Sequence, residues 1–343
     1  DGGALGALID NGGAIRANGG TVLMTARAVD SLTATVINSS GLIEARSLGV
    51  GADGVVSLVA EQGGVQVAGR IDVSSPQGQG GKALVTGDTV TIADGGVIDA
   101  TGATGGGQIY VGGSWQGKDG SIKQATRTTV QAGALLDASA TQNGHGGTVV
   151  AWSDIKKNDS RTEVAGVLKA RGGAQGGNGG RIETSGATLS VSRAADAAAP
   201  KGNGGLWLID PTNVTIAAGA GAIGGTNVGL DNIEAALAGG TNVSIQADDT
   251  ITWTSDYTNT GGSGRSLILS ADQLVLQGNI GSTSDLSFIF NGDVKLDGHI
   301  TIASQGGEIY FAKYVDSATA GAGNASRLTL TNTGTGSVVF GDQ

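Results

Sequence analysis

The sequence predicts an all-β parallel β-helix from three observations: an internal repeat, short apolar–polar alternation, and glycine as the punctuating residue. The repeat is plainest in residues 89–111, 128–153 and 162–186. Each of these reads as a short strand, a turn, a second short strand, a Gly-rich bend and a third strand. The second strand ends in a hydrophobic–charged–small triplet. That triplet recurs as Ile15-Arg16-Ala17, Ile43-Glu44-Ala45, Ile71-Asp72-Val73, Ile98-Asp99-Ala100, Leu136-Asp137-Ala138 and Leu168-Lys169-Ala170. Successive anchors lie 28, 28, 27, 38 and 32 residues apart, and the two long steps carry insertions. A unit of this size cannot bury its apolar face alone, so successive units must stack.

Each element follows from local chemistry. Period-2 alternation sends the Ile and Ala of Ile98-Asp99-Ala100 inward and the Asp outward. A Gly-led strand follows each triplet, at 21–25, 55–60, 82–86, 108–111, 148–152 and 181–184. Glycine is expected to supply the positive-φ corners that a coil must turn. At about 27 residues per coil, the chain holds on the order of a dozen coils.

Residues 1–191 read as regular coils with excursions at 113–127 and 154–161, and residues 192–203 as a loop or joint. Residues 204–343 read as continued β-helix with different corner chemistry. One short helix is expected near 231–238, with Asp231 as cap, Glu234 completing a capping box and Gly239-Gly240 ending it. From Thr241 onward, short strands spaced for three-sided coils return.

Composition narrows the function classes. With 64 Gly but only 3 Pro, the chain is neither collagen nor a Pro-rich linker. Aromatic residues make up 3%, which suits a thin core of Val, Ile, Leu and Ala. The net charge of −10 argues against nucleic acid as a partner. The chain has no cysteine, which excludes disulfides and fits an exported bacterial protein. No apolar run is long enough to span a membrane. The opening Asp1-Gly2-Gly3 carries no signal-peptide pattern, so the chain reads as a piece of a longer protein.

Asp72, Asp99 and Asp137 share one repeat position and should stack as an acidic column. Like charges at strand spacing repel, and Ca²⁺ would relieve that. Lys169 and Arg16 occupy the same position elsewhere and no dense Asp-rich loop is present, so no metal or other cofactor is expected.

The candidate binding residues are Trp115, Lys118, Lys123 and Arg127 in the first excursion, and Lys156, Lys157 and Arg161 in the second. If the register holds, both excursions leave the same flank. Cations beside an aromatic ring on an acidic scaffold point to an anionic or neutral sugar. The plainer alternative is two solvated loops and a tryptophan packed over a coil edge. Trp152 and Trp207 follow strand patterns and are expected to fill or cap the core. His145 and His299 stand apart, with no nucleophile in a recognisable motif, so the chain is not expected to be an enzyme. The run GGAQGGNGG follows no βα unit and makes no phosphate loop.

The segments YVGGSWQGKDGSI, GHGGTVVAWSD, GVLKARGGAQGGNGGRIETSG and GGLWLIDPTNVTI, spanning about residues 105–216, resemble the shaft of filamentous-haemagglutinin-like exoproteins of two-partner secretion. The resemblance implies a right-handed β-helix exported through an outer-membrane transporter partner and displayed on, or shed from, the bacterial cell surface. It implies a secreted adhesin attaching to a host-surface glycan or protein, or to biofilm exopolysaccharide. The family's NPNG- or NPNL-type secretion motif is absent from this sequence, which places it downstream of that signal. Two rival readings are a carbohydrate-active, pectate-lyase-like β-helix enzyme and the inert stalk of a contact-dependent toxin-delivery protein.

Overall fold

A computed structural model describes residues 7–27, 35–47, 49, 54–220, 227–318 and 326–341. It is 50% strand and 4% helix, its strands pair in parallel, and no helix among the described residues is long and apolar enough to cross a membrane. The fold is therefore all-β and solenoid-like. Two compact units form, Asp1–Ala187 with Ala195–Gly205, and Thr188–Ala194 with Leu206–Gln343.

In the first unit every coil contributes one strand to each of three ladders. The triplet ladder is a six-stranded parallel sheet: Ala14–Arg16, Leu42–Glu44, Arg70–Asp72, Val97–Asp99, Leu135–Asp137 and Val167–Lys169. Its register sets Ile15, Ile43, Ile71, Ile98, Leu136 and Leu168 in one row, as the repeat requires. Ile43, Ile71, Ile98 and Leu136 are fully buried, with Ala45, Ala100, Ala138 and Ala170. The Gly-led ladder runs through Val55–Gln62, Lys82–Thr86, Gln108–Val111, Thr148–Trp152 and Arg181–Gly186. The third ladder runs through Gly64–Val67, Thr89–Ile92, Arg127–Val130 and Arg161–Val164.

The acidic column forms and serves the corner. Asp72 Oδ1 accepts from the Ser74 N–H (3.0 Å), Asp99 Oδ1 from Thr101 (3.0 Å) and Asp137 Oδ1 from Ser139 (3.0 Å). Each carboxylate thus holds the turn two residues on. Arg70 bridges Asp72 and Asp99 at 3.3 and 2.5 Å, and so offsets the repulsion with a guanidinium. Within the expected joint 192–203, Asp196 extends the same pattern: it lies beside Lys169, accepts from the Ala198 N–H (3.1 Å) and pairs with Arg171 (2.6 Å).

The glycines correct one expectation. Gly19, Gly63, Gly95 and Gly112 do hold positive φ, whereas the pairs Gly80-Gly81, Gly106-Gly107, Gly146-Gly147 and Gly179-Gly180 do not. Their reason is proximity. The second glycine of each pair donates to the carbonyl of the triplet's last residue: Gly81 to Val73, Gly107 to Ala100, Gly147 to Ala138 and Gly180 to Ala170, all at 2.7–2.8 Å. A Cβ on Gly147 would lie 2.0 Å from the Gly107 carbonyl oxygen, and one on Gly146 2.0 Å from that of Ala170. Backbone lies on both sides, so neither glycine has room for a side chain.

The second unit also has three ladders. One four-stranded sheet joins Tyr257–Asn259, Ile280–Ser282, Ile300–Ser304 and Leu328–Asn332. The segments SLILSA and LVLQG, expected as separate strands, form one strand, Ser266–Leu276. Its register on Ser287–Leu296 shifts between Ser270 and Gln273, so the corner is absorbed as an irregularity instead of a loop. Phe290, Phe311 and Phe340 stack in register with centroids 5.0 and 5.1 Å apart. Trp207 and Trp253 are fully buried.

The helix α1 spans Leu230–Ala238. Its N-cap is Gly229 and not Asp231, because strand Asn227–Gly229 runs directly into it; Asp231 falls in the first turn, where its charge suits the dipole. At the other end Gly240 takes φ 98°. Thr241 donates to the Ala236 carbonyl (2.9 Å) and Gly240 to that of Leu237 (3.0 Å), a Schellman closure.

Two predictions follow from these contacts. Gly147→Ala forces backbone apart and is expected to cost about 2–3 kcal/mol or more in urea unfolding. Gly120→Ala, with nothing within 4 Å of the added carbon, is expected to stay within about 0.5 kcal/mol; equal effects would refute the close-approach account. The second concerns Asp210, which burial and then the charge of Asp248 push from 3.8 up to about 6. The folded state holds that proton more tightly than the unfolded chain. Its contribution therefore favours folding below about pH 4 and is lost as pH rises through about 6. Asp210→Asn should gain on the order of 2–3 kcal/mol over wild type at pH 7 and little at pH 4; a gain independent of pH would contradict this.

Candidate ligand-binding groove

The glycine pairs leave a trough on the surface of the first unit. Because no side chain rises from Gly106-Gly107, Gly146-Gly147 or Gly179-Gly180, their stacked backbones form the floor of a groove of about 490 Å³. One rim carries Gln79 and His145, and the other carries Gln108, Thr148 and Arg181. Gln108, Thr148 and Arg181 are Cα partners on successive strands, so they rise in one column, one per coil. Coils lie about 4.8 Å apart, the strand spacing of a sheet.

The rim is held by specific bonds. Arg181 Nε donates to Thr148 Oγ1 at 3.0 Å, and its guanidinium lies over the Trp115 ring, 4.5 Å from the centroid. His145 Nδ1 accepts the Asn178 N–H at 2.9 Å, which places the neutral ring's proton on Nε2. Gln79 Nε2 reaches the Gly106 carbonyl at 3.3 Å.

The first excursion folds back over the outer side of the Gly-led ladder. There Tyr110, Val150 and Trp152 form a second, external core, against which Trp115, Leu84 and Ile155 pack. Trp152 Nε1 donates to Gln124 Oε1 (3.1 Å). The Gln116 N–H donates to Glu183 Oε2 (2.7 Å), a carboxylate wholly buried beneath the excursion. Burial raises the Tyr110 phenol's pKa above its usual value. Trp115 is thus the half-buried tryptophan packed over a coil edge, and Trp152 is buried on the outer side of its strand.

Register places both excursions at the same corner of successive coils, between the Gly-led and third ladders, as the sequence anticipates. The cations divide, however. Lys123 pairs with Asp88 at 2.7 Å, and Arg161 pairs with Glu163. Burial raises the Asp88 carboxyl's affinity for a proton. The Lys123 and Gly63 hydrogen bonds and the Lys123 and Lys157 charges outweigh that and hold its pKa below the usual range. Lys118 is exposed and donates to Gln116 Oε1 (2.7 Å). Arg127, Lys156 and Lys157 are exposed, the lysines on a turn closed by the Lys157 N–H on the Asp154 carbonyl (2.9 Å). Among the seven, Trp115 alone touches the groove's rim, through Arg181. The rim residues Gln79, Gln108, His145, Thr148 and Arg181 escaped the pattern reading. Their signal was the polar residue after each Gly-Gly, in Gly107-Gln108, Gly147-Thr148 and Gly180-Arg181.

No group of three or more His, Asp or Glu residues able to hold a metal occurs among the described residues. Comparison of the chain with models of known families gave no match, and comparison with curated proteins gave none either.

Removing the Trp115 ring should uncover the external core. Trp115→Ala is expected to cost about 2 kcal/mol, less than the 3–5 of a fully buried ring. It should also red-shift Trp152 fluorescence and raise its acrylamide quenching. Unchanged quenching would show that the excursion does not shield Trp152.

Proposed function

We propose that this chain is the binding shaft of a secreted bacterial surface adhesin of the filamentous-haemagglutinin-like type, and that it holds an extended polysaccharide in the glycine-floored groove. In this reading the coils form a right-handed β-helix exported through an outer-membrane transporter partner. The observation that carries it is the column Gln108, Thr148, Arg181 beside a glycine floor, with Gln108 and Arg181 exposed and Thr148 buried between them as the arginine's support. Such a surface offers a repeating ligand more than one polar contact along its length. Many modest contacts along a chain then sum to a tight attachment. The four sequence segments that resemble the family's shaft support the same reading.

The enzyme alternative asks for several carboxylates converging in a cleft. The groove's lining contributes no Asp or Glu, so the adhesive reading is favoured.

Binding of the purified chain to a panel of bacterial exopolysaccharides and host glycans tests the proposal, with Arg181→Ala/His145→Ala and Lys118→Ala/Lys156→Ala run in parallel. Saturable binding to one polysaccharide is expected, weakened about tenfold or more in the first variant and unchanged in the second. No binding to any polymer, with the coils intact by circular dichroism, would make the chain a spacer such as a toxin-delivery stalk.

A further inference from the structure

Resting on the glycan reading above, we infer that the groove selects a carboxylate-bearing polysaccharide, a polyuronate, and that Arg181 holds one carboxylate of it. The chain has 30 acidic residues against 20 Lys and Arg, yet no carboxylate lines this groove. Arg181 makes no ion pair among the described residues, whereas Arg70, Arg161 and Arg171 each sit on an Asp or Glu. Its Nε is committed to Thr148 and its plane rests on Trp115. Side-chain rotation is thereby restricted, and the two Nη groups remain as donors.

A guanidinium fixed in this way is a fork for a planar, two-oxygen anion, and it loses little entropy on binding one. His145 across the floor offers the Nε2 proton as a second donor to the same chain. Thr148, one coil before, is buried and holds the Nε, while Gln108, two coils before, is exposed and can take a sugar hydroxyl. A chain lying along this column passes one coil for each advance of about 4.8 Å, close to the step of an extended pyranose polymer. The acid groups therefore return to the arginine's side of the groove in a regular order.

The test is isothermal calorimetry of the whole chain with four polymers of matched length: sodium alginate, alginate methyl ester, dextran sulfate and neutral dextran. Wild type is compared with Arg181→Gln and Arg181→Lys, with near-ultraviolet circular dichroism checking that Trp115 and Trp152 keep their packing. Alginate is expected to bind roughly ten- to a hundredfold tighter than its methyl ester, the value of a charge-assisted hydrogen bond. Arg181→Gln should abolish that difference by weakening alginate alone, and Arg181→Lys should restore only part of it. Equal binding of alginate and its ester would overturn the carboxylate inference while leaving the glycan reading intact. Tighter binding of dextran sulfate than of alginate would also overturn it, in favour of charge density. Failure of every polymer to bind would overturn the polyuronate inference, and the glycan reading would fall with it only if the wider panel also showed no binding.

Discussion

The molecule's first unit depends on one close approach of backbone to backbone. At each Gly-Gly corner the chain passes between the coil before and the coil after, with its N–H bonded to the triplet's terminal carbonyl. A Cβ on Gly106 would sit 1.8 Å from the Ala138 oxygen and one on Gly179 1.7 Å from that of Ala197. The corner has no alternative geometry at that spacing. It therefore sets where the triplet ladder ends and where the Gly-led ladder begins, and so keeps every coil in register despite insertions of different length.

That constraint also shapes the surface. A corner without side chains leaves a depression, and stacking such corners turns the depressions into a groove. The residue after each pair is released from steric duty and stands on the rim, where Gln108, Thr148 and Arg181 differ in chemistry but share position. The opposite effect occurs at the next corner. There the excursion 113–127 is long enough to fold over the outer side of the sheet. It buries Tyr110, Val150 and Trp152, which alternation alone would have left in water. In the same outward row, Leu23 stays 65% exposed.

Charge is arranged by the same stacking. A residue repeated at one position in every coil meets its own kind at strand spacing, so each acid in the triplet column requires compensation. It comes from backbone N–H groups two residues on and from interleaved arginines, Arg70 between Asp72 and Asp99 and Arg171 beside Asp196. Lys123 of the first excursion plays a similar part on Asp88. Arg181 lies outside this scheme: its ring partner is aromatic and its neighbours in the column are neutral.

Sequence alone determined the repeat, its register and its all-β parallel character, because period and alternation are local and additive along the chain. Ile15 through Leu168 align as their spacing requires, Gly239-Gly240 ends the helix by its own backbone freedom, and Trp207 is buried as its strand pattern implies. What needed the tertiary structure was everything carried across coils. The spacing marked Lys123 and Arg161 as candidate ligand contacts, but each found a carboxylate partner in the folded unit. Arg181 meets Trp115 only because an insertion folds back over a strand 66 residues later in the chain. The groove itself exists only once the glycine corners stack, since an absent side chain becomes a surface feature only beside its neighbours.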